Sequence, residues 1–362
     1  MDLVLASKKA DKTIVEVEGV GGYYTWSSTQ FPLLSHKKLA AGLLLLHPRG
    51  FALPHYADSS KFAYVCEGEC VVGLISPEDS KEEVIKLQKG DVLPVTIGVV
   101  SWWYNGGNSK LSIIFLGESG EYTPGEYCYF FLTGAAGILN GFPNEIIAKS
   151  FHMTKTESEK LIKDQSGLNI IIEINEGIKM PEPGNKHKLV VNLDDRAKIC
   201  VHEVKNGGVL SAVTCRNLPL LEDIGLSANR VILEGGAIFG PVYTADSSVQ
   251  LSYITKGSGR VRIVGLFGKV VLDTKVEKGD LFFVPKFFPF VVEADEGGME
   301  FFSVITSSKQ AYGELSGGDK SIWEAASPSV LEASLNMAPY SAIESLKSKI
   351  AKGAVIAPPS TI

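Results

Sequence analysis

From Leu44 to Asn105 the apolar residues come in short runs, some alternating and some continuous, each closed off by Gly, Pro, Asp or Ser. The run LLLHPRGFALPHYADSSKFAYVCEGECVVGL, a charged turn and then VIKLQKGDVLPVTIGVVSWWYN predict strands joined by tight turns, with no room for a helix. That is the pattern of a small β-barrel. A second copy begins near Val231. When Tyr64 is set against Tyr253, Gly68 falls on Gly257, Val72 on Val261, Lys89 on Lys278, Gly90 on Gly279 and Asp91 on Asp280, all at one offset. A gapless match over so many positions marks a duplicated domain.

Outside the barrels the pattern changes. Residues 1–43 read as a leading strand and a covering loop that ends in the Lys37-Lys38 turn, and the first barrel occupies about 44–133. Beyond Phe131, Pro143 is placed to open a short helix, and Thr154 with Glu157 forms a capping box for a second helix that stops at Gly167. The same grammar follows the second barrel, where Pro328 opens one helix and Ala338-Pro339 another. The expected division is an N-terminal barrel with its helical arm over 1–170, a linker over 171–187, a C-terminal barrel with its arm over 188–350, and an extended, poorly ordered tail over 351–362. LVVNL and ICVHEV are read as leading strands of the second domain.

Composition narrows the partners. A net charge of −6 without a basic run gives no electrostatic footprint for nucleic acid or an anionic membrane. No segment reaches the roughly 18 apolar residues of a membrane span. The N-terminus carries only the short apolar run Leu3 to Ala6 before lysines, too short for a secretory signal, so a cytoplasmic location is expected. Five scattered cysteines without CxxC spacing read as reduced, mostly buried thiols.

The paired pattern resembles the two motifs of the cupin superfamily, and more narrowly the bicupins related to legumin-type (11S) seed storage globulins. Gly50, His55, Gly68, Gly90, Asp91, Gly98 and Asn105 stand at matching places. The resemblance implies a mainly β fold of two tandem jelly-roll barrels, each followed by a helical arm. It also implies a homo-oligomer, most often a trimer, clasped by those arms; Ile146, Ile147 and Leu161 in one and Val330, Leu331 and Leu346 in the other offer apolar faces for clasping, or for docking on the parent barrel. Storage precursors of this kind carry a secretory leader, are cut at an Asn-Gly beside a bridging cysteine, and contain long Gln and Glu tracts. This chain has Asn175-Glu176-Gly177 in its linker, Asn206-Gly207 inside the second domain and no such tract.

Metal-binding cupins hold a divalent ion with three His and one Glu. Carried onto this chain, those positions are His55, Ala57, Lys61 and Ser101 in the first barrel and Thr244, Asp246, Gln250 and Phe290 in the second. An ammonium in place of the carboxylate repels a cation and an alanine donates nothing, so no metal and no other cofactor is expected. His55, Lys61 and Ser101 should instead project into one lumen, with Trp103 on the face of Ser101 and Tyr64 as a second aromatic contact for a ligand. A lysine withdrawn from water loses part of its proton affinity, which makes a metal-free proton transfer by His55 and Lys61 on a small apolar metabolite chemically open. The competing reading pairs Lys61 with Glu67, Glu69 or Asp58 and leaves His55 a core hydrogen bond. Trp102 and Trp103 should face opposite sides of their strand. Two functions follow: a reservoir-like or small-ligand-binding bicupin, and a cofactor-independent isomerase or cyclase of plant specialised metabolism. A lumen filled by side chains favours the first; the second needs an open apolar pocket of several hundred Å³.

Overall fold

The computed structural model describes residues 5–78, 81–184, 188–316, 321–337, 340–350 and 353–358. Contacts divide the chain into two units, residues 10–192 and residues 193–362 together with the first nine.

In the first unit two antiparallel sheets face each other. One runs in the order Lys12–Val17, Gly21–Thr25, Leu39–Leu46, Leu111–Glu118, Lys61–Glu67, Asp91–Val95, Val191–Asn192. The other runs Tyr129–Phe131, Gly50–Ala57, Val100–Tyr104, Glu69–Ile75, Glu82–Gln88, and Ile171–Glu173 also pairs with Gly50–Ala57. Between them lies a core that includes Leu44, Ala63, Val65, Val72, Trp103, Ile113 and Phe115. In the second unit the long strands Gln250–Val264 and Phe290–Ile305 pair almost throughout, and Cys200–Val204, Gly208–Val213, Ser227–Leu233, Ile238–Thr244 and Tyr312–Glu314 complete the path.

The duplication read from sequence is a duplication of register. Lys61 opposes Val95 as Gln250 opposes Val284, and Tyr64 opposes Val92 as Tyr253 opposes Leu281. The repeated Lys-Gly-Asp is turn chemistry. Gly90 and Gly279 both take positive φ, 86° and 97°, which a side chain would resist. Asp91 accepts a hydrogen bond from the Gln88 N–H and Asp280 accepts one from the Glu277 N–H, each at 2.8 Å. Asn105 is also spent on structure: its amide donates to the Leu46 and Ser109 carbonyls and its oxygen accepts from the Gly107 N–H.

The helical arms follow their caps. Pro143 precedes the helix Asn144–Ser150, and Pro328 opens Pro328–Leu335. Thr154 and Glu157 make both capping-box hydrogen bonds at the start of Lys155–Gln165. Ile147 and Leu331 are buried at 2% exposure, while their neighbours Ile146 and Val330 stay 48% and 57% exposed. Each arm thus buries one apolar residue and still presents apolar surface beside it. The Ala338-Pro339 helix opening lies outside the described residues; Tyr340–Lys349 is helical.

Several boundaries differ from the sequence reading. The segment 1–43 contains two strands and the helix Pro32–Lys37, whose end is set by Lys38 in the left-handed region at φ 50°. Ile171–Glu173, placed in the linker, is a strand, because its alternation suits the edge of Gly50–Ala57. Val191–Asn192, expected to lead the second domain, pairs with Asp91–Val95 of the first. Lys8 bridges to Leu281, and the Leu5 N–H donates to the Val271 carbonyl, so the earliest described residues belong to the second unit. The tail is no loose end as far as it is described: Val355–Ile356 pairs with Ile238–Thr244, and Ala354 is 6% exposed.

Candidate functional site

Strand alternation places Lys61, Ala63 and Val65 inward, and pairing brings His55 opposite Ser101. His55, Lys61 and Ser101 are 9%, 4% and 2% exposed. The structure brings His55 and Lys61 to a common neighbour that sequence reading had missed. The Lys61 ammonium nitrogen lies 5.0 Å from the ring centroids of both Tyr127 and Tyr129, and the His55 ring meets Tyr129 edge-on at 5.0 Å. The signal was present in the alternation Tyr127, Tyr129, Phe131, which turns successive rings to one face. Tyr129 shares a 2.6 Å hydrogen bond with Tyr23, and the Tyr127 hydroxyl donates to the Ala40 carbonyl at 2.9 Å. The aromatic cover is therefore pinned in place.

Burial lowers the pKa of Lys61 from its ordinary value to about 7, against a smaller opposing pull from the Asp58 charge. Burial also lowers His55, to about 4; the Leu53 carbonyl at 2.8 Å works the other way, and the Lys61 charge adds to the lowering. At neutral pH His55 is a neutral ring held by the backbone, and Lys61 sits near its midpoint under two π faces. A cation so placed gains about 2 kcal/mol from the rings when desolvated. Two of the carboxylates weighed as partners for Lys61 have other partners: Glu69 pairs with Lys86 at 2.9 Å, and an Asp58 oxygen accepts from the Cys128 N–H.

Ser101 turns to Trp103, whose indole N–H donates to its hydroxyl at 3.2 Å. Trp103 lines the lumen and Trp102 points the other way, donating to Glu82 at 2.6 Å. Tyr64 is corrected: it is fully buried but alternates with Phe62 to the face opposite Lys61, where it cannot meet a ligand in the lumen. The lumen itself is nearly full. The cavity left between His55, Trp103, Phe115, Tyr129 and Phe131 is about 40 Å³. That is room for about three waters.

The second barrel repeats the theme with different groups. Gln250, aligned with Lys61, donates to the hydroxyls of Ser252 and Ser303 and accepts from Tyr312 at 2.7 Å. Thr244 donates to the Ser248 carbonyl and Phe290 is core. Asp246, expected inside, lies in an exposed bend and accepts from Ser248. Neither set of four fits the divalent ion of metal-binding cupins: three of the eight are apolar or a fixed amide, one is a buried ammonium, and the one carboxylate points outward. Among the described residues no three His, Cys, Asp or Glu converge on one point.

Two barrels with these registers, sharing one turn motif, define a bicupin. The cupin family profile matches residues 8–159 and 192–342, and the chain belongs to that family. Cocosin 1 of Cocos nucifera is 24% identical across 82% of this chain and 76% of its own length. Cruciferin PGCRURSE5 of Raphanus sativus is 23% identical across 79% and 75%. The crystal structure of pumpkin seed globulin superposes with a TM-score of 0.88 at 22% identity, covering 99% of both chains. The 11S globulin from Wrightia tinctoria, described with an auxin binding site, reaches 0.88 at 20% identity, covering 98% and 96%. The architecture is legumin-like, and identities this low speak to fold alone.

Proposed function

We propose that the chain is a reservoir-type bicupin akin to the 11S seed storage globulins, and that its first barrel is a packing unit rather than a catalytic one. One observation carries this reading: the polar group at the shared lumen position of each barrel is enclosed by its own chain, Lys61 beneath Tyr127 and Tyr129, and Gln250 within Ser252, Ser303 and Tyr312. An isomerase or cyclase acting through His55 and Lys61 would need a substrate-sized lumen of at least about 300 Å³, and about 40 Å³ falls far short. Outward apolar residues on both arms support assembly into a homo-oligomer, the trimer being the form proposed. Five cysteines, none of them in a disulfide among the described residues, suit the reducing cytoplasm.

The test is incubation of the purified full chain with a plant metabolite extract, followed by mass spectrometry, beside abundance measurements through nitrogen withdrawal in the tissue that makes it. The reading expects no converted compound and a protein that is drawn down. Turnover that disappears in Lys61→Met would overturn it.

A further inference from the structure

The hairpin that joins Gln250–Val264 to Val270–Glu277 ends in Gly265-Leu266-Phe267-Gly268. Leu266 is 74% exposed, Phe267 is fully exposed, and Val270, at the foot of the turn, is half exposed. A second loop closes on the same end of the barrel. The Val264 N–H donates to the Pro289 carbonyl at 2.9 Å, and the Phe288 ring lies against Gly265, where a Cβ would meet it at 3.0 Å; Phe287 beside it is half exposed. One end of the second unit therefore carries Leu266, Phe267, Val270 and Phe287 outward together.

The fold does not ask for these side chains. Phe267 and Phe287 both hold positive φ, 58° and 66°, a region that glycine or asparagine enters freely and a bulky side chain resists. The first barrel makes the corresponding connections with polar or small residues: Ser-Pro-Glu-Asp-Ser-Lys over 76–81, and Gly98 in place of Phe287. Large apolar groups kept in water on strained backbone point to a partner outside the chain.

Charge and size say which kind. Lys269 and Lys286 are exposed and adjoin the apolar residues directly. Along residues 260–275 and 285–290 there are five basic side chains, Arg260, Arg262, Lys269, Lys275 and Lys286, and one acid, Asp273, which both arginines share; Glu293 opposite Arg260 is the next. The chain's net charge of −6 conceals this local excess. Four side chains at a hairpin end present about 500 Å² at most, short of the roughly 800 Å² that each partner buries in a stable protein interface. Apolar side chains flanked by lysines suit the boundary between lipid headgroups and acyl chains, where ammonium groups meet phosphates.

We propose that this end of the second barrel docks on an anionic lipid bilayer, Leu266 and Phe267 entering the headgroup region and Lys269 and Lys286 holding lipid phosphates. The docking is peripheral and uses none of the residues on which the reservoir role rests.

Sedimentation of the full chain with vesicles of phosphatidylcholine alone, and of phosphatidylcholine containing one-third phosphatidylserine, tests it. Binding is expected to the mixed vesicles, and to weaken at least about tenfold in the Leu266→Ser, Phe267→Asn double variant, whose asparagine suits the turn. Lys286→Gln, on the surface, should weaken it about fivefold. Should the double variant misfold, Lys286→Gln and the comparison of the two vesicles still decide. No sedimentation with the mixed vesicles, equal sedimentation with both kinds, indifference to Lys286→Gln, or a folded double variant that binds as well as the parent would each overturn the proposal. So would self-association of the lipid-free chain that the double variant abolishes, since a second copy would then cover the tip.

Discussion

The ammonium nitrogen of Lys61 lies 5.0 Å from the centre of the Tyr129 ring, inside a barrel whose fold relatives in the metal-binding branch place a carboxylate at that position. In the unfolded chain Lys61 titrates near its ordinary 10.5, and in the folded chain near 7. Between these values the unfolded state holds the extra proton, so stability rises with pH by up to about 1.4 kcal/mol per unit. The burial cost is complete below about pH 7 and fades toward pH 10. Lys61→Met removes it: the variant should be the more stable protein at pH 6.5, and its lead should shrink by roughly 1–2 kcal/mol between pH 7 and 8.5 in urea unfolding. A lead that does not change with pH would show an ordinary lysine.

Tyr312→Phe strands the Gln250 carbonyl and one amide proton of Asn229, both buried. The expected loss is about 1–3 kcal/mol, measurable by denaturant melts. Retention of full stability would mean that water reaches the network.

Phe287 stands where the first barrel has Gly98, and both lie in the left-handed region, at φ 66° and 75°. The phenylalanine ring is half exposed. Phe287→Gly should therefore be stabilising by about 0.5–1 kcal/mol, the relief of strain exceeding the entropy that glycine adds to the unfolded chain. A drop in melting temperature would assign the ring a contact worth more than the strain.

Thr154→Ala removes one side of the capping box on the first arm. About 1 kcal/mol should be lost, confined to Lys155–Gln165, and hydrogen exchange of that helix should quicken while the barrel amides keep their protection.

Elemental analysis of the purified protein should return less than one equivalent of transition metal per chain, because neither lumen assembles a nitrogen and carboxylate donor set. A stoichiometric ion would reveal a site built by other residues.

The parts of this molecule legible in sequence are those governed by local rules. Gly90 and Asp91 announce a turn because only a few side chains permit that geometry, and Thr154 with Glu157 announces a helix start for the same kind of reason. The inward set His55, Lys61 and Ser101 followed from a period of two. Tyr64 did not: the same period excludes it from the face of Lys61, and counting from 61 would have shown it. The cover over Lys61 was hidden because Tyr127 and Tyr129 arrive from a segment more than 60 positions away, and their partners Tyr23 and Ala40 lie on the far side of the barrel repeat in sequence. The Asn229 network was hidden for the same reason, since Tyr312 reaches it across 83 positions. The edges of the domains escaped because pairing of Val191–Asn192, Val355–Ile356 and Lys8 depends on which sheet edge lies open, a property of the assembled fold.

The bridge from Lys8 to Leu281 means that the second unit is discontinuous along the gene. Anyone expressing that half by itself from residue 193 would deliver an unprotected strand edge, and should expect precipitation unless residues 5–9 are grafted back, for instance by circular permutation. During synthesis, too, the opening residues must wait for most of the polypeptide to emerge before their hydrogen-bonding partners exist.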